Sequence, residues 1–234
     1  MVALEKPILK FQRRDLTSIL NYLSKQQKSP LNNLLTKQRQ FHFIGVGGIG
    51  MSAIALILID RGYSVSGSDR KTSPSLIRLK EKGGIIFENQ CANNIDEICK
   101  GKNSPIIIIS SAIESSNPEL CAAKEKKLQI NHRADLLAAL LEIDTSIAVA
   151  GTHGKTTTST LITTLLAKSN YDPTAIVGGI VPIYNSNGHS GKGSLIIAEA
   201  DESDGSLTKL KPNLGIITNI ELDHTDYYQN IESL

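Results

Sequence analysis

Apolar and polar positions along the chain predict strands and helices in regular alternation. An apolar strand over residues 41–46 runs into an apolar helix over 49–61, Gly62 stops it, and residues 63–68 form the next strand. Ser73 followed by Pro74 supplies an N-cap and a first-turn proline for a helix reaching Lys82. Gly83 and Gly84 break that helix before a short strand over 85–87. The β-branched run over 105–110 reads as a buried parallel strand. Asn117-Pro118 opens a helix to Lys127, and another covers 134–141. A second series begins with a strand at Ile147 and a helix over 155–168, with Leu161, Ile162, Leu165 and Leu166 on one face. Apolar strands follow over 195–198 and 214–218, and the Gly-, Ser- and Asn-rich stretch 184–193 reads as a mobile loop. This alternation predicts an α/β protein with doubly wound parallel sheets. A Rossmann-like unit spans 39–145, a boundary falls near 143–146, and a P-loop-type α/β unit spans 146–234. Residues 1–38 carry only weak helical spacing at Leu16, Ile19, Leu20 and Leu23 and are set apart as an extension.

Composition narrows the classes. The 234 residues are 40% apolar and 21% charged, with a net charge of +2. The first 40 residues hold eight Lys or Arg against Glu5 and Asp15, so the rest of the chain is near −4. This basic arm reads as a solvated extension, since it has no signal-peptide apolar core. No basic stripe marks a nucleic-acid partner, and with 4% aromatic residues and no Trp, stacking platforms are scarce. No apolar run approaches the roughly 18 residues of a membrane span. Cys91, Cys99 and Cys121 lack any C-x-x-C spacing, which points to a reducing cytoplasm rather than to a disulfide framework or a zinc site.

The chemistry concentrates in four places. Residues 147–158 read I-A-V-A-G-T-H-G-K-T-T-T, a buried strand followed by a Gly-rich turn and a helix start. Such a turn closes backbone N–H groups of Gly151, Thr152, His153, Gly154, Lys155, Thr156 and Thr157 on the phosphates of a nucleotide triphosphate such as ATP, and the helix dipole adds to the attraction. Lys155 reaches the β- and γ-phosphates, and the Thr156 hydroxyl is a ligand for Mg²⁺. The loop departs from G-x-x-x-x-G-K-[ST], with Val149 at the first glycine position. Glu199 ends the strand over 195–198 and so falls beside this loop, where P-loop proteins hold Mg²⁺. Asp201, Glu202 and Asp204, which follow, read equally well as a solvated loop. His224, after the strand over 214–218, is a metal or phosphate contact at the same sheet edge, whereas His42 and His189 are expected to have no role. Gly45, Gly47, Gly48 and Gly50 match G-x-G-x-x-G between strand and helix, with Asp69 at the end of the next strand. That pattern demands a pyrophosphate, met by a dinucleotide or by a UDP-sugar, or else forms a tight turn with no ligand.

Together these segments resemble the Mur ligases of bacterial peptidoglycan synthesis. G-T-H-G-K-T-T-T, E-A-D-E-S-D and T-N-I-E-L-D-H appear in that order, preceded by G-V-G-G-I-G-M-S, S-G-S-D over 66–69, S-S-A-I over 110–113 and H-R-A-D over 132–135. The resemblance runs from Phe41 onward and is strongest to the member that adds L-alanine. It implies ATP and Mg²⁺, with UDP-N-acetylmuramate and L-alanine as substrates, in the bacterial cytoplasm. ATP phosphorylates the lactyl carboxylate, and the L-alanine amine attacks the acyl phosphate. By the same resemblance Lys155 clamps phosphate, Thr156 and Glu199 ligate Mg²⁺, and His224 serves a second metal or phosphate position. Gly45, Gly47, Gly48, Gly50, Asp69, Ser110 and Ser111 face the sugar nucleotide. Family members continue well past the position of Leu234, so the ATPase unit is expected to be incomplete here and turnover by these 234 residues alone is not expected. Two alternatives remain: a UDP-sugar- and nucleotide-binding module without catalysis, and an NAD(P)-dependent oxidoreductase.

Overall fold

The computed structural model describes residues 33–36, 39–101 and 103–221. The sequence expectations for the basic arm up to residue 32, and for His224, lie outside the described residues.

The first series of elements forms a five-stranded parallel sheet. Its strands are β1 (Gln40–Ile44), β2 (Ser64–Ser68), β3 (Ile85–Phe87), β4 (Ile106–Ile109) and β5 (Ile130–His132), in the spatial order β3-β2-β1-β4-β5. The order reverses between β1 and β4, so a crevice opens beyond their carboxyl ends, the usual ligand position in such sheets. The helices are α1 (Ile49–Asp60), α2 (Pro74–Glu81), α3 (Ala92–Ile98), α4 (Pro118–Glu125) and α5 (Arg133–Leu141). Capping acts as the sequence predicts: the Ser73 side chain accepts from Leu76 N, and Asn117 Oδ1 accepts from the N–H groups of Glu119 and Leu120. Both β5 and α3 are additions to the elements read from sequence.

Only residues 142–144 separate α5 from β6 (Thr145–Ala150), which starts a second five-stranded sheet. Its other strands are β7 (Thr174–Val181), β8 (Ser186–His189), β9 (Leu195–Glu199) and β10 (Leu214–Ile217), ordered β10-β6-β9-β7-β8, with only β8 antiparallel among the described strands. Helix α6 (Lys155–Lys168) connects β6 to β7.

Two expectations are corrected. The stretch 184–193 is not a mobile loop: it holds β8, where Ser186, Asn187 and Gly188 are buried. Asn187 Nδ2 donates to Ile49 O at 2.6 Å and to Ser52 Oγ at 3.0 Å, so hydrogen bonds to α1, not apolar side chains, fix the strand. On α6 the inward face is Ser159, Ile162, Thr163 and Leu166, while Leu161 and Leu165 are 65% and 61% exposed. Ser159 Oγ donates back to Lys155 O at 2.8 Å, which lets a hydroxyl sit inside without an orphan donor.

The two sheets share one core. Residues of α1 from Met51 to Leu58 are all buried, in one cluster with Phe41 and Phe43 of the first sheet and Ile176, Ile196 and Ala198 of the second. A helix apolar all round requires cover on every side, and the two sheets supply it.

Candidate nucleotide and sugar-nucleotide sites

The phosphate loop follows β6. Gly151 has φ +124° and Gly154, the N-cap of α6, has φ +80°, both in the region that side chains disfavour. The far side of the loop is fixed by residues after β10: Asn219 Oδ1 accepts from His153 N at 2.9 Å, Thr218 Oγ1 donates to His153 O at 2.6 Å, and Thr152 N donates to Asn219 O at 3.2 Å. The His153 ring faces solvent, 3.8 Å from the Glu221 carboxylate, so this residue serves the loop through its backbone.

Lys155 opens α6 and folds back over the loop. Its Nζ donates to Gly151 O at 2.6 Å, to Thr152 O at 3.2 Å and to Glu202 Oε1 at 2.6 Å. Glu202 is a specific buried partner, its side chain 5% exposed, and not a solvated acid. The Thr156 hydroxyl lies 3.0 Å from both oxygens of Glu199, and Glu199 Oε2 accepts from Gly178 N at 2.7 Å. Glu199 therefore stands beside the loop as its strand position predicts. Thr157 follows with its side chain exposed.

The glycine loop follows β1. Ser68 O accepts from Gly45 N at 2.8 Å and Val46 N at 3.0 Å, while Asp69 Oδ2 accepts from Gly47 N at 2.8 Å. Asp69 Oδ1 also accepts from Lys71 N at 3.1 Å. Both carboxylate oxygens thus accept from backbone and help to fix the loop. Gly48 is the N-cap of α1, and a Cβ on Gly50 would stand 2.9 Å from Arg133 Nη1.

Between the loops runs the segment after β9. Asp201 Oδ2 accepts from Arg133 Nη2 at 3.1 Å. Asp204 Oδ2 accepts from Ser111 Oγ, and the His132 ring lies 3.1 Å from that hydroxyl. Burial opposes ionisation of Asp204, but hydrogen bonds from Ser111 and Ser206 outweigh it and bring its pKa down to about 2. Desolvation pulls the His132 pKa down despite the nearby Asp204 carboxylate. A cavity of about 340 Å³ opens here, lined by Gly48, Gly50, Ser110, Ser111, Arg133 and Asp201 among others. The structure thus brings Gly48, Gly50, Ser110 and Ser111 to one wall and the acidic segment of the phosphate-loop side to the other. Sequence reasoning left Glu202 undecided beside the reading of a solvated loop, and it missed Arg133 and Gly178. Of these three, Arg133 and Glu202 sit inside the motifs H-R-A-D and E-A-D-E-S-D, and Gly178 carried no signal.

Two family descriptions match this chain: Mur ligase family, catalytic domain, over residues 40–144, and Mur ligase middle domain, over residues 149–234. The chain belongs to the Mur ligase family. A UDP-N-acetylmuramate--L-alanine ligase of Prochlorococcus marinus (strain MIT 9313) is 59% identical over 88% of this chain and 42% of its own length. One from Synechococcus sp. (strain CC9605) is 59% identical over 86% of this chain and 43% of its own length. The chain therefore spans under half the length of these Mur ligases. Among solved structures, the UDP-N-acetylmuramate-alanine ligase of Thermotoga maritima is 33% identical with a TM-score of 0.73, covering 82% of this chain and 44% of that one. The Neisseria meningitides ligase for UDP-N-acetylmuramate and L-alanyl-gamma-D-glutamyl-meso-diaminopimelate shares the fold at a TM-score of 0.75 and 24% identity, over 83% of this chain and 64% of that one. Among the described residues, no helix is long and apolar enough to cross a membrane.

Proposed function

We propose that the chain forms the nucleotide-handling part of a cytoplasmic ATP-dependent ligase that joins L-alanine to UDP-N-acetylmuramate for peptidoglycan synthesis. The observation that carries this reading is the cavity beside the glycine loop, walled on its other side by Asp201, Ser203 and Asp204, in the same segment whose Glu202 holds Lys155 of the phosphate loop. A phosphoryl donor on the phosphate loop and a carboxylate acceptor on the glycine-loop side would meet across it, which gives the proximity that group transfer requires.

In this reading Gly45, Gly47, Gly48 and Gly50 hold the diphosphate of the sugar nucleotide at the α1 N-terminus, with Asp69, Ser110 and Ser111 on the same side. Residues 151–157 cradle the ATP phosphates, and Lys155 leaves Glu202 to meet them, offsetting charge as it develops. The γ-phosphoryl passes to the lactyl carboxylate, releasing ADP. The L-alanine amine attacks the resulting acyl phosphate, and the tetrahedral intermediate expels phosphate as the amide forms.

The residues present fit Mg²⁺. The Thr156 hydroxyl and the Glu199 carboxylate converge with oxygen donors only. That suits an ion which takes one or two protein oxygens and completes its shell with phosphates and water. When bound, Mg²⁺ would neutralise phosphate charge at Thr156 and Glu199. His224 is assigned to a second metal or phosphate position.

Calorimetry on the intact chain tests the assignment. UDP-N-acetylmuramate and Mg·ATP are expected to bind and NADH is not. Failure of the sugar nucleotide to bind a folded sample, or tight binding of NADH, would overturn it.

A further inference from the structure

Beneath the carboxyl ends of β1 and β2 lies a polar cluster that the reaction above does not use. Glu119, in the first turn of α4, is fully buried. Its Oε2 accepts from Ser68 Oγ and its Oε1 accepts from Asn94 Nδ2 at 2.6 Å. His42 Nε2 lies 3.5 Å from the same Oε1, and His42 Nδ1 meets Ser66 Oγ at 2.9 Å. Asn94 Nδ2 also donates to Asn89 O at 2.8 Å, tying the cluster to the loop before α3. His42 and Ser68 are fully buried, and Ser66 and Asn94 nearly so.

A carboxyl group in such a place is costly. It is fully buried, and its hydrogen bonds and the α4 dipole offset the lost hydration. Well-packed apolar residues of similar volume generally stabilise a core as well or better. Stability alone is therefore a poor reason for Glu119.

The contacts lead instead to the glycine loop. Ser68, held by Glu119 through its side chain, presents its backbone carbonyl to Gly45 N and Val46 N. The next residue, Asp69, takes Gly47 N. Three successive loop amides are thus tied down by two successive residues at the end of β2, which fixes the loop backbone. The side-chain anchor of the first is a carboxylate in the core.

We propose that Glu119 is a positioning residue for the sugar-nucleotide site: by holding Ser68 it fixes the Gly45, Val46 and Gly47 backbone, and through it the placement of the α1 N-terminus and the affinity for a nucleoside diphosphate sugar. This rests on the reading of the glycine loop as the sugar-nucleotide site. Asn94 holds the other side of the Glu119 carboxylate, with the His42 ring 3.5 Å away.

Three variants of the full chain test it. Ser68→Ala cuts the link and leaves Glu119 with Asn94 and His42. Glu119→Ala removes the anchor. Glu119→Gln keeps an acceptor for the Ser68 hydroxyl. Loss of the Ser68–Glu119 hydrogen bond predicts about tenfold weaker UDP-N-acetylmuramate binding for Ser68→Ala and Glu119→Ala. Glu119→Gln, whose amide NH2 then faces Asn94 Nδ2, is expected to recover part of the affinity, and Mg·ATP affinity should stay within about twofold in all three. Without any ligand, hydrogen exchange over residues 43–50 should accelerate in the two alanine variants while that of α6 does not. Lower melting temperatures with unchanged sugar-nucleotide affinity and unchanged loop exchange would mean that Glu119 is structural only, and would overturn the proposal. If the parent chain binds no UDP-N-acetylmuramate, the sugar-nucleotide reading falls, and loop exchange still decides whether Glu119 holds the loop. If Glu119→Ala does not fold, the affinity and loop exchange of Ser68→Ala decide between the two outcomes.

Discussion

Substituting Gly178 by alanine perturbs the Thr156–Glu199 pair without touching either residue. A Cβ on Gly178 would stand 2.7 Å from Glu199 Oε2 and 2.8 Å from Oε1, whereas ordinary contact begins at 3.4 Å. The carboxylate is the movable partner, so it must retreat by about 0.7 Å, and the 2.7 Å bond from Gly178 N then stretches or breaks. The 3.0 Å contacts from Thr156 Oγ1 leave little room for such a shift before they cease to be hydrogen bonds. Glu199 is only partly buried, so water replaces much of what is lost and the fold should lose about 1 kcal/mol. The ligand site loses more, because an oxygen needed for the ion is displaced. At least a tenfold loss of Mg·ATP affinity is expected, equivalent to about 1.4 kcal/mol. Calorimetry at several Mg²⁺ concentrations measures the affinity, and a denaturant titration measures the fold. Gly215→Ala, with nothing within 4 Å of the added Cβ, serves as the silent control. Full Mg·ATP affinity with normal Mg²⁺ dependence in Gly178→Ala would refute the assignment of Glu199.

Two further outcomes follow from charged pairs. Lys155→Ala should abolish ATP binding and also destabilise the chain by about 2 kcal/mol, since it removes the 2.6 Å ion-pair partner of the nearly buried Glu202 carboxylate; adding Glu202→Gln should restore part of the stability but none of the binding, as read from denaturant curves and calorimetry. Asp204 titrates near 2 when folded, below its ordinary value of 3.8, so it stabilises the fold above about pH 4 and that contribution is lost as pH falls toward 2. Asp204→Asn should therefore flatten the stability profile across that window, and an unchanged acid transition would count against the Ser111–Asp204 contact.

The fold was legible where burial follows hydrophobicity. The run Ile106–Ile109 became a central strand, and the Ser73-Pro74 and Asn117-Pro118 pairs opened helices as capping chemistry requires. It was illegible where polar groups do the packing. Strand β8, with the sequence S-N-G-H, has no apolar residue, and its burial depends on Asn187 meeting α1, which is 135 positions distant at Ser52. The inward face of α6 was misread for the same reason: Ser159 and Thr163 occupy buried positions, while two leucines face out. Within the site, glycine spacing located both loops, because backbone geometry limits which residues fit there. Asp201, Glu202 and Asp204 were indistinguishable as sequence. Each faces a different partner only because the chain turns after Ala200, and a turn carries no periodicity.

The arrangement of α1 also governs how this molecule could be taken apart. Its first turn carries the glycine loop, while its body is wedged between the first sheet and strands β7 and β8 of the second. At Gly188 even one added carbon would stand 2.7 Å from Ala53 O and 2.8 Å from Ala53 Cα. A fragment cut near residue 145 would leave Ile54, Ala55 and their neighbours without the second half of their cover. Such a piece, although its sequence holds a complete five-stranded sheet, should be sticky in water and poorly suited to separate expression. Shuffling either half against a foreign partner would have to reproduce the shape of α1 on its outer side as well as the loop at its tip.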